Sequence, residues 1–163
     1  MATERFKVRV TKDHLVFCSG HFISYQGHQC ERLHGHNYRA AVEIEGTLQE
    51  DFYVFDFIAL KLRTKEITDE LDHYMLLPTK NAVIKVEETG ASVRARYRDR
   101  EWVLPRGDCV LLPIENTTAE LLARFIAGRL LESLRVNEKF VPDLLRVEVE
   151  EGPGQSATVE IRS

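Results

Sequence analysis

Apolar and charged residues alternate at Phe6-Lys7-Val8-Arg9-Val10, the two-residue period of a half-buried strand. The pattern loosens towards Leu15-Val16-Phe17. Over residues 37–45, Tyr38, Ala40, Val42 and Ile44 share one face against Arg39, Glu43 and Glu45, and Gly46 can end the strand. These runs predict an antiparallel pair joined by a long connection over residues 18–33. Connections of that length are uncommon and often functional. This one holds Cys18, His21, His28 and Cys30 and runs straight into His34.

Two helices follow from spacings of three and four. Asp56 suits an N-cap, and Phe57, Leu60, Thr64, Ile67 and Leu71 recur behind it. Thr117 and Glu120 fit a capping box, after which Leu122, Ile126, Leu130 and Leu134 repeat every four residues. Asn137 and Pro142 lie beyond that helix's end, and short strands at 145–150 and 157–161 flank Gly152-Pro153-Gly154. Between the helices, Ile84 and Val86 alternate with Lys85 and Glu87, and Val93, Ala95 and Tyr97 alternate with Arg94, Arg96 and Arg98. This predicts a β meander inserted at about 78–112 within one α+β domain spanning 1–163. The arginine row is either a solvated edge, with Glu87 as a partner, or a cationic strip for a polyphosphate.

Composition narrows the class. The 163 residues are 44% apolar and 29% charged, as expected for one globular domain. A net charge of −4 provides no broad positive field for a nucleic-acid backbone. No apolar run approaches the ~18 residues of a membrane span, and the N-terminal stretch is too polar for a secretory signal. The 3 cysteines contain no Cys-x-x-Cys, which argues against a disulfide framework and a thiolate zinc knuckle. The expected compartment is the cytoplasm.

Three constellations could carry chemistry. In His34-Gly35-His36, residues i and i+2 of a strand point to one face, so two imidazoles can converge on a metal. His21 is a candidate third ligand, with His14 and His28 competing. The Cys30 thiol, beside a bound cation, would have its thiolate favoured and could act as base or nucleophile. At the end of the first helix, the Asp72 carboxylate could orient the His73 imidazole for proton transfer.

These residues also form an ordered set. Phe17-Cys18-Ser19-Gly20-His21-Phe22 is followed by Cys30, then His34-Gly35-His36-Asn37-Tyr38, then Asp56-Phe57 with Leu60-Lys61. Leu71-Asp72-His73, Thr118-Ala119-Glu120 and Glu151-Gly152-Pro153 complete it. The set resembles the 6-pyruvoyl-tetrahydropterin synthase family, including its bacterial 6-carboxytetrahydropterin synthase branch, over residues 6–73 and 113–163. The resemblance implies the tunnelling fold (T-fold): a four-stranded antiparallel sheet with two helices on one face. It further implies a homo-hexamer built as a dimer of trimers, with sites between subunits.

By the same resemblance, His21, His34 and His36 hold a zinc ion, Cys30 is the catalytic base, and Asp72 with His73 is the partner acid/base pair. Glu151 would hold the pterin, whose amino group and ring N–H one carboxylate can accept together. Glu150 takes that part if the register slips by one. The implied substrate is 7,8-dihydroneopterin triphosphate. The four-residue step from Cys30 to His34 is similar to the carboxy branch, which implies 6-carboxy-5,6,7,8-tetrahydropterin as product and a place in queuosine biosynthesis. The pyruvoyl branch, a non-catalytic pterin or purine binder and a His₃ zinc hydrolase are the alternatives. The chain departs from the family's pattern at residues 74–113, where a short connection is usual, and at Leu121, where the family has Asn.

Overall fold

The structure, a computed structural model, describes residues 4–163; Met1–Thr3, the start of the polar N-terminal stretch, lie outside the described residues. Strands β1 (Phe6–Val10) and β2 (Val16–His21) both run antiparallel to the long strand His34–Gly46. One lies against its second half (Val10 opposite Val42) and the other against its first (His21 opposite His34). A 3₁₀ turn at Lys12–His14 separates them, and this is where the alternation loosens. Leu15 stays in the core, and its carbonyl accepts the Ala40 N–H at 2.9 Å. The predicted long connection is partly structured: β2 continues to His21, and a hairpin of β3 (Ser24–Tyr25) and β4 (Gln29–Cys30) fills most of the rest.

The long strand is β5. After it come α1 (Phe57–Asp69), β6 (Tyr74–Pro78), β7 (Lys85–Thr89), β8 (Ser92–Tyr97), β9 (Arg100–Pro105) and β10 (Cys109–Leu112). Then α2 (Ala119–Asn137), β11 (Leu144–Gly152) and β12 (Gln155–Arg162) close the chain. The main sheet runs β10-β6-β2-β5-β11-β12, with β1 also paired to β5, so it has seven strands among the described residues.

The expected four-stranded antiparallel sheet is therefore too small. β6 lies parallel to β2, and β10 lies parallel to β6. The chain leaves β5 through α1 and comes back as β6, antiparallel to β5 and parallel to β2, and the β7–β9 segment carries it from β6 to β10. Both added strands are short and largely buried, with Leu76, Leu77, Cys109 and Leu112 inside, so they lack the alternation that marks a half-exposed strand. Only β7–β9 form a separate meander, narrower than the predicted 78–112, since Cys109–Leu112 belongs to the main sheet.

Helix α1 is capped as expected: Asp56 accepts the Ile58 N–H at 2.9 Å. Leu60, Thr64 and Ile67 face the core, but Phe57 is exposed. In α2 the four-residue row Leu122, Ile126, Leu130 and Leu134 is fully buried. The capping box does not form. Thr118 is the N-cap, while buried Thr117 turns inward and donates its hydroxyl to the Phe22 carbonyl at 3.3 Å. Tertiary contact has redirected a residue that local pattern assigned to a cap.

Both helices cover one face of the main sheet over the principal core. A second apolar cluster of Phe22, Leu77, Ile84, Val93, Ala95, Tyr97 and Cys109 joins the meander to the β2 end, with Cys30 and Trp102 packed against it. The arginine row divides. Arg94 and Arg96 on β8 both reach Glu101 on β9, at 3.2 and 2.7 Å, and Arg98 lies in the β8–β9 turn. Glu101 takes the part expected of Glu87.

Candidate metal centre and active site

Antiparallel register sets His21 directly opposite His34, and Ser19 opposite His36. Alternation puts His34, His36 and Tyr38 on one face of β5, and His21 meets them across the pair. The ring centroids of His21 lie 4.7 Å from His34 and 5.2 Å from His36, and the last two are 4.8 Å apart. Gly35 keeps the strands close, since a Cβ there would stand 3.0 Å from the Ser19 carbonyl oxygen.

Each of two rings is oriented by a backbone carbonyl. His21 Nδ1 donates to Thr117 O at 2.9 Å and His34 Nδ1 to Arg32 O at 2.8 Å, which leaves Nε2 of both available as a ligand. Nε2 of His21 is buried with no hydrogen-bond partner, while buried Nε2 of His36 faces the Glu151 carboxylate. An orphaned nitrogen such as that of His21 is costly unless something is bound there. Burial pushes His21 down to about 4; the Thr117 carbonyl opposes this and His34 and His36 add to it, so the ring is neutral at physiological pH. Neutral imidazoles with an open position suit zinc.

Glu151 completes the cluster. Its Oε1 lies 3.1 Å from His36 Nε2, and the donor atoms of His21, His34, His36 and Glu151 all lie within 4.8 Å of one another. The register that sets Val149 opposite Ala40 puts Glu151, two residues on, on this face, next to a bulge between Glu150 and Gly152. Glu150 lies opposite Arg39, with 3.7 Å between their charged atoms, so the one-residue slip does not occur. His14 and His28, the competing ligands, stand outside the cluster; His28 Nδ1 bonds the Gln26 carbonyl at 2.6 Å.

Cys30 ends the β3–β4 hairpin, half-buried, with its Sγ 3.5 Å from the Glu31 carbonyl. Burial pushes the thiol up; Arg100 acts in the opposite direction. Glu31, which sequence reasoning passed over, places a carboxylate oxygen 3.9 Å from His34 Nε2. Its signal was present: an acid in the same connection, next to Cys30 and three residues before His34. Tyr38 was also missed as a site residue. Its ring lies 5.4 Å from that of His36, and its buried hydroxyl has no partner. Burial first, then the charges of Glu151 and Glu31, raise its pKa far above the ordinary phenol value, so it remains a neutral donor.

Asp72 and His73 form a contact pair, with Oδ2 to Nδ1 at 2.9 Å. Asp72 Oδ1 also accepts the Cys18 N–H at 2.7 Å. Burial raises this carboxyl, but the Cys18 N–H and His73 outweigh it, and its pKa lies below the usual value. His73 adopts φ 63°, the left-handed region, and donates its backbone N–H to Cys18 O at 2.6 Å, which leaves its ring exposed. The dyad is thus fastened to β2 three residues before His21, roughly 10 Å along the strand at ~3.3 Å per residue. Among the described residues, neither Cys30 nor the dyad belongs to the group of converging donors.

Comparison with known proteins identifies the family. The sequence model of the 6-pyruvoyl tetrahydropterin synthase family matches residues 9–162. A Methanocaldococcus jannaschii protein, provisionally named 6-carboxy-5,6,7,8-tetrahydropterin synthase, is 36% identical over 145 residues, covering 88% of each chain. The Haemophilus influenzae 6-carboxy-5,6,7,8-tetrahydropterin synthase is 31% identical over 119 residues, 70% of this chain and 76% of that one. The Plasmodium falciparum 6-pyruvoyl tetrahydropterin synthase structure superposes with a TM-score of 0.91 at 31% identity, covering 99% of this chain and 100% of that one. A Plasmodium vivax 6-pyruvoyltetrahydropterin synthase variant gives 0.90 at 30% identity with the same coverage, and its description names a glutamate as the catalytic residue replaced. With a family match over nearly its whole length and a two-helix fold shared with solved members, the chain belongs to the 6-pyruvoyl tetrahydropterin synthase family of pterin lyases.

Proposed function

We propose that the chain is a zinc-dependent 6-carboxy-5,6,7,8-tetrahydropterin synthase. In this reading it eliminates triphosphate from 7,8-dihydroneopterin triphosphate and, with one water consumed, cleaves the side chain to leave the 6-carboxyl group and release acetaldehyde, in a route to queuosine. The observation that carries it is the convergence of His21, His34 and His36, with the buried Nε2 of His21 left without a partner. The curated relatives named for the carboxy product support the branch.

Bound zinc would supply a Lewis acid that acidifies the protons beside the side-chain oxygens. His21, His34 and His36 hold it, oriented for two of them by the Thr117 and Arg32 carbonyls. Glu151 accepts the pterin's paired N–H donors from the same face, with the Tyr38 hydroxyl as a buried donor beside it. Cys30 takes the first proton, and Asp72 holds His73 for the second transfer.

A second reading gives the first transfer to Glu31. It is favoured by the raised Cys30 thiol, the Glu31 carboxylate 3.9 Å from His34, and the catalytic glutamate named for the P. vivax enzyme.

The dyad's distance from the histidines along β2 supports sites completed by a second copy, as in a homo-hexamer. Phe52, Phe57 and Ile58, all exposed, offer apolar surface for such contacts. The three free thiols suit the cytoplasm.

The test is product analysis with zinc-loaded protein and 7,8-dihydroneopterin triphosphate. Release of triphosphate and acetaldehyde with the 6-carboxy product is expected. A 6-pyruvoyl product would move the chain to the other branch, and binding without turnover would make it a pterin binder.

A further inference from the structure

The segment that carries Cys30 and Glu31 is gripped from outside the main sheet. Arg100, the first residue of β9, donates Nη1 to the Cys30 carbonyl at 2.9 Å and Nη2 to the Glu31 carbonyl at 2.6 Å. One planar guanidinium thus spans two successive carbonyls, a geometry that a lysine ammonium cannot reproduce. The guanidinium is itself fixed over the Trp102 ring, 4.7 Å from its centroid. Trp102 in turn stacks on Phe22 at 4.3 Å, and Phe22 follows the ligand His21 in the chain.

Two further contacts reach the same hairpin. The Tyr97 hydroxyl donates to the His28 carbonyl, and Arg98 Nη2 donates to that oxygen at 3.1 Å. The end of the meander around the β8–β9 turn therefore holds the carbonyls of residues 28, 30 and 31. At the hairpin's other end, Asn116 donates to the Ser24 carbonyl at 2.7 Å and Asn81 to the Ser24 hydroxyl at 2.9 Å. Besides Arg100, this segment has the two-residue pairing of β4 with β3, the Glu31 N–H bond to the Ile23 carbonyl at 3.0 Å, the Gln29 side-chain bond to Gln26 and the packing of Cys30 against the meander cluster.

We propose that Arg100 is a positioning residue, and that the β7–β9 meander serves the reaction by carrying it. Its fork sets the backbone of residues 30–31, and with it the approach of the Cys30 thiol or the Glu31 carboxylate to a substrate held at the His21–His34–His36 centre. This rests on the reading that one of those two groups moves a proton. A misplacement of about 1 Å in such a group can cost about 10²-fold in rate.

The test compares zinc-loaded parent with Arg100→Met, which keeps an apolar stem over Trp102, with Arg100→Lys, and with Arg100→Ala. Amide exchange over residues 28–33 is read alongside kcat, KM and zinc content. We expect about tenfold faster exchange in that segment for Arg100→Met, about 10- to 100-fold lower kcat, KM within about twofold and full zinc. Arg100→Lys is expected to fall between parent and Met. Added guanidinium ion is expected to restore part of the kcat of Arg100→Ala. Unchanged exchange over 28–33 overturns the clamp whatever the activity. Faster exchange with parental kcat overturns the positioning role. If the parent itself turns over no pterin, the proposed function has failed, and the exchange comparison still decides whether Arg100 holds the segment.

Discussion

Acid should destabilise the metal-free protein through His21 in a calculable window. The imidazole is buried and held neutral by loss of solvent, with its pKa pushed from 6.5 to about 4. In the unfolded chain the value returns to the ordinary 6.5. Between these limits the unfolded chain binds a proton that the folded chain does not, so stability falls as pH falls through 6.5 and the loss is complete below about 4. The full displacement corresponds to about 3 kcal/mol, and the part expressed between about pH 7.5 and about pH 5 is about 2 kcal/mol. That is a readable share of a typical total of about 5–15 kcal/mol. Asp72, Glu45 and Glu160 all have pKa values below the ordinary carboxyl range, so their contribution is lost at lower pH and does not enter this window. The assay is urea unfolding of chelator-treated protein at the two pH values, for the parent and for His21→Gln. The parent should lose about 2 kcal/mol more than the variant over this range. Equal losses in the two proteins would refute the assignment of a buried neutral imidazole.

Metal analysis should find one zinc per chain in the parent and in Cys30→Ala, and little in His34→Ala, if zinc is held by the imidazoles as proposed; zinc loss in the cysteine variant would contradict this. Cys30→Ala should reduce kcat by about 10²–10⁴-fold if the thiol is the base, and a comparable loss confined to Glu31→Gln would transfer the role to the carboxylate. Leu60→Ala should cost about 2–5 kcal/mol in urea unfolding and Phe57→Ala under about 0.5, since only the first faces the core; similar costs would place α1 in the wrong rotation. His73→Gly should unfold no earlier than the parent, because glycine accepts φ 63° freely, while turnover falls; a lower melting temperature would show that the strain is not local.

Much of the site could be read from the sequence because its geometry is local. His34, His36 and Tyr38 share a face by the two-residue period of a strand, whatever the strand pairs with. Asp56 caps α1 and Leu122 to Leu134 face the core for equally local reasons, the orphan N–H groups of a first turn and the near-fourfold helical repeat. The ordered set of short motifs carried the family.

Long-range pairing decided the rest. His21, and not His14 or His28, meets His34 because β2 pairs with β5 in one register, and the Thr117 carbonyl then fixes its tautomer. Glu151, and not Glu150, faces the histidines because β11 pairs with β5 in the register that sets Val149 opposite Ala40, so the next residue on that face lies beside His36 and Tyr38. Thr117 gives up its cap to the Phe22 carbonyl. β6 and β10 join the main sheet as parallel strands whose apolar runs carry no period. The arginine row divides between Glu101 and the hairpin, and Arg100, unremarkable in the sequence, reaches Cys30 and Glu31. The dividing line is physical: periodicity fixes which way a side chain points on its own element, but only the docking of distant elements fixes what it meets.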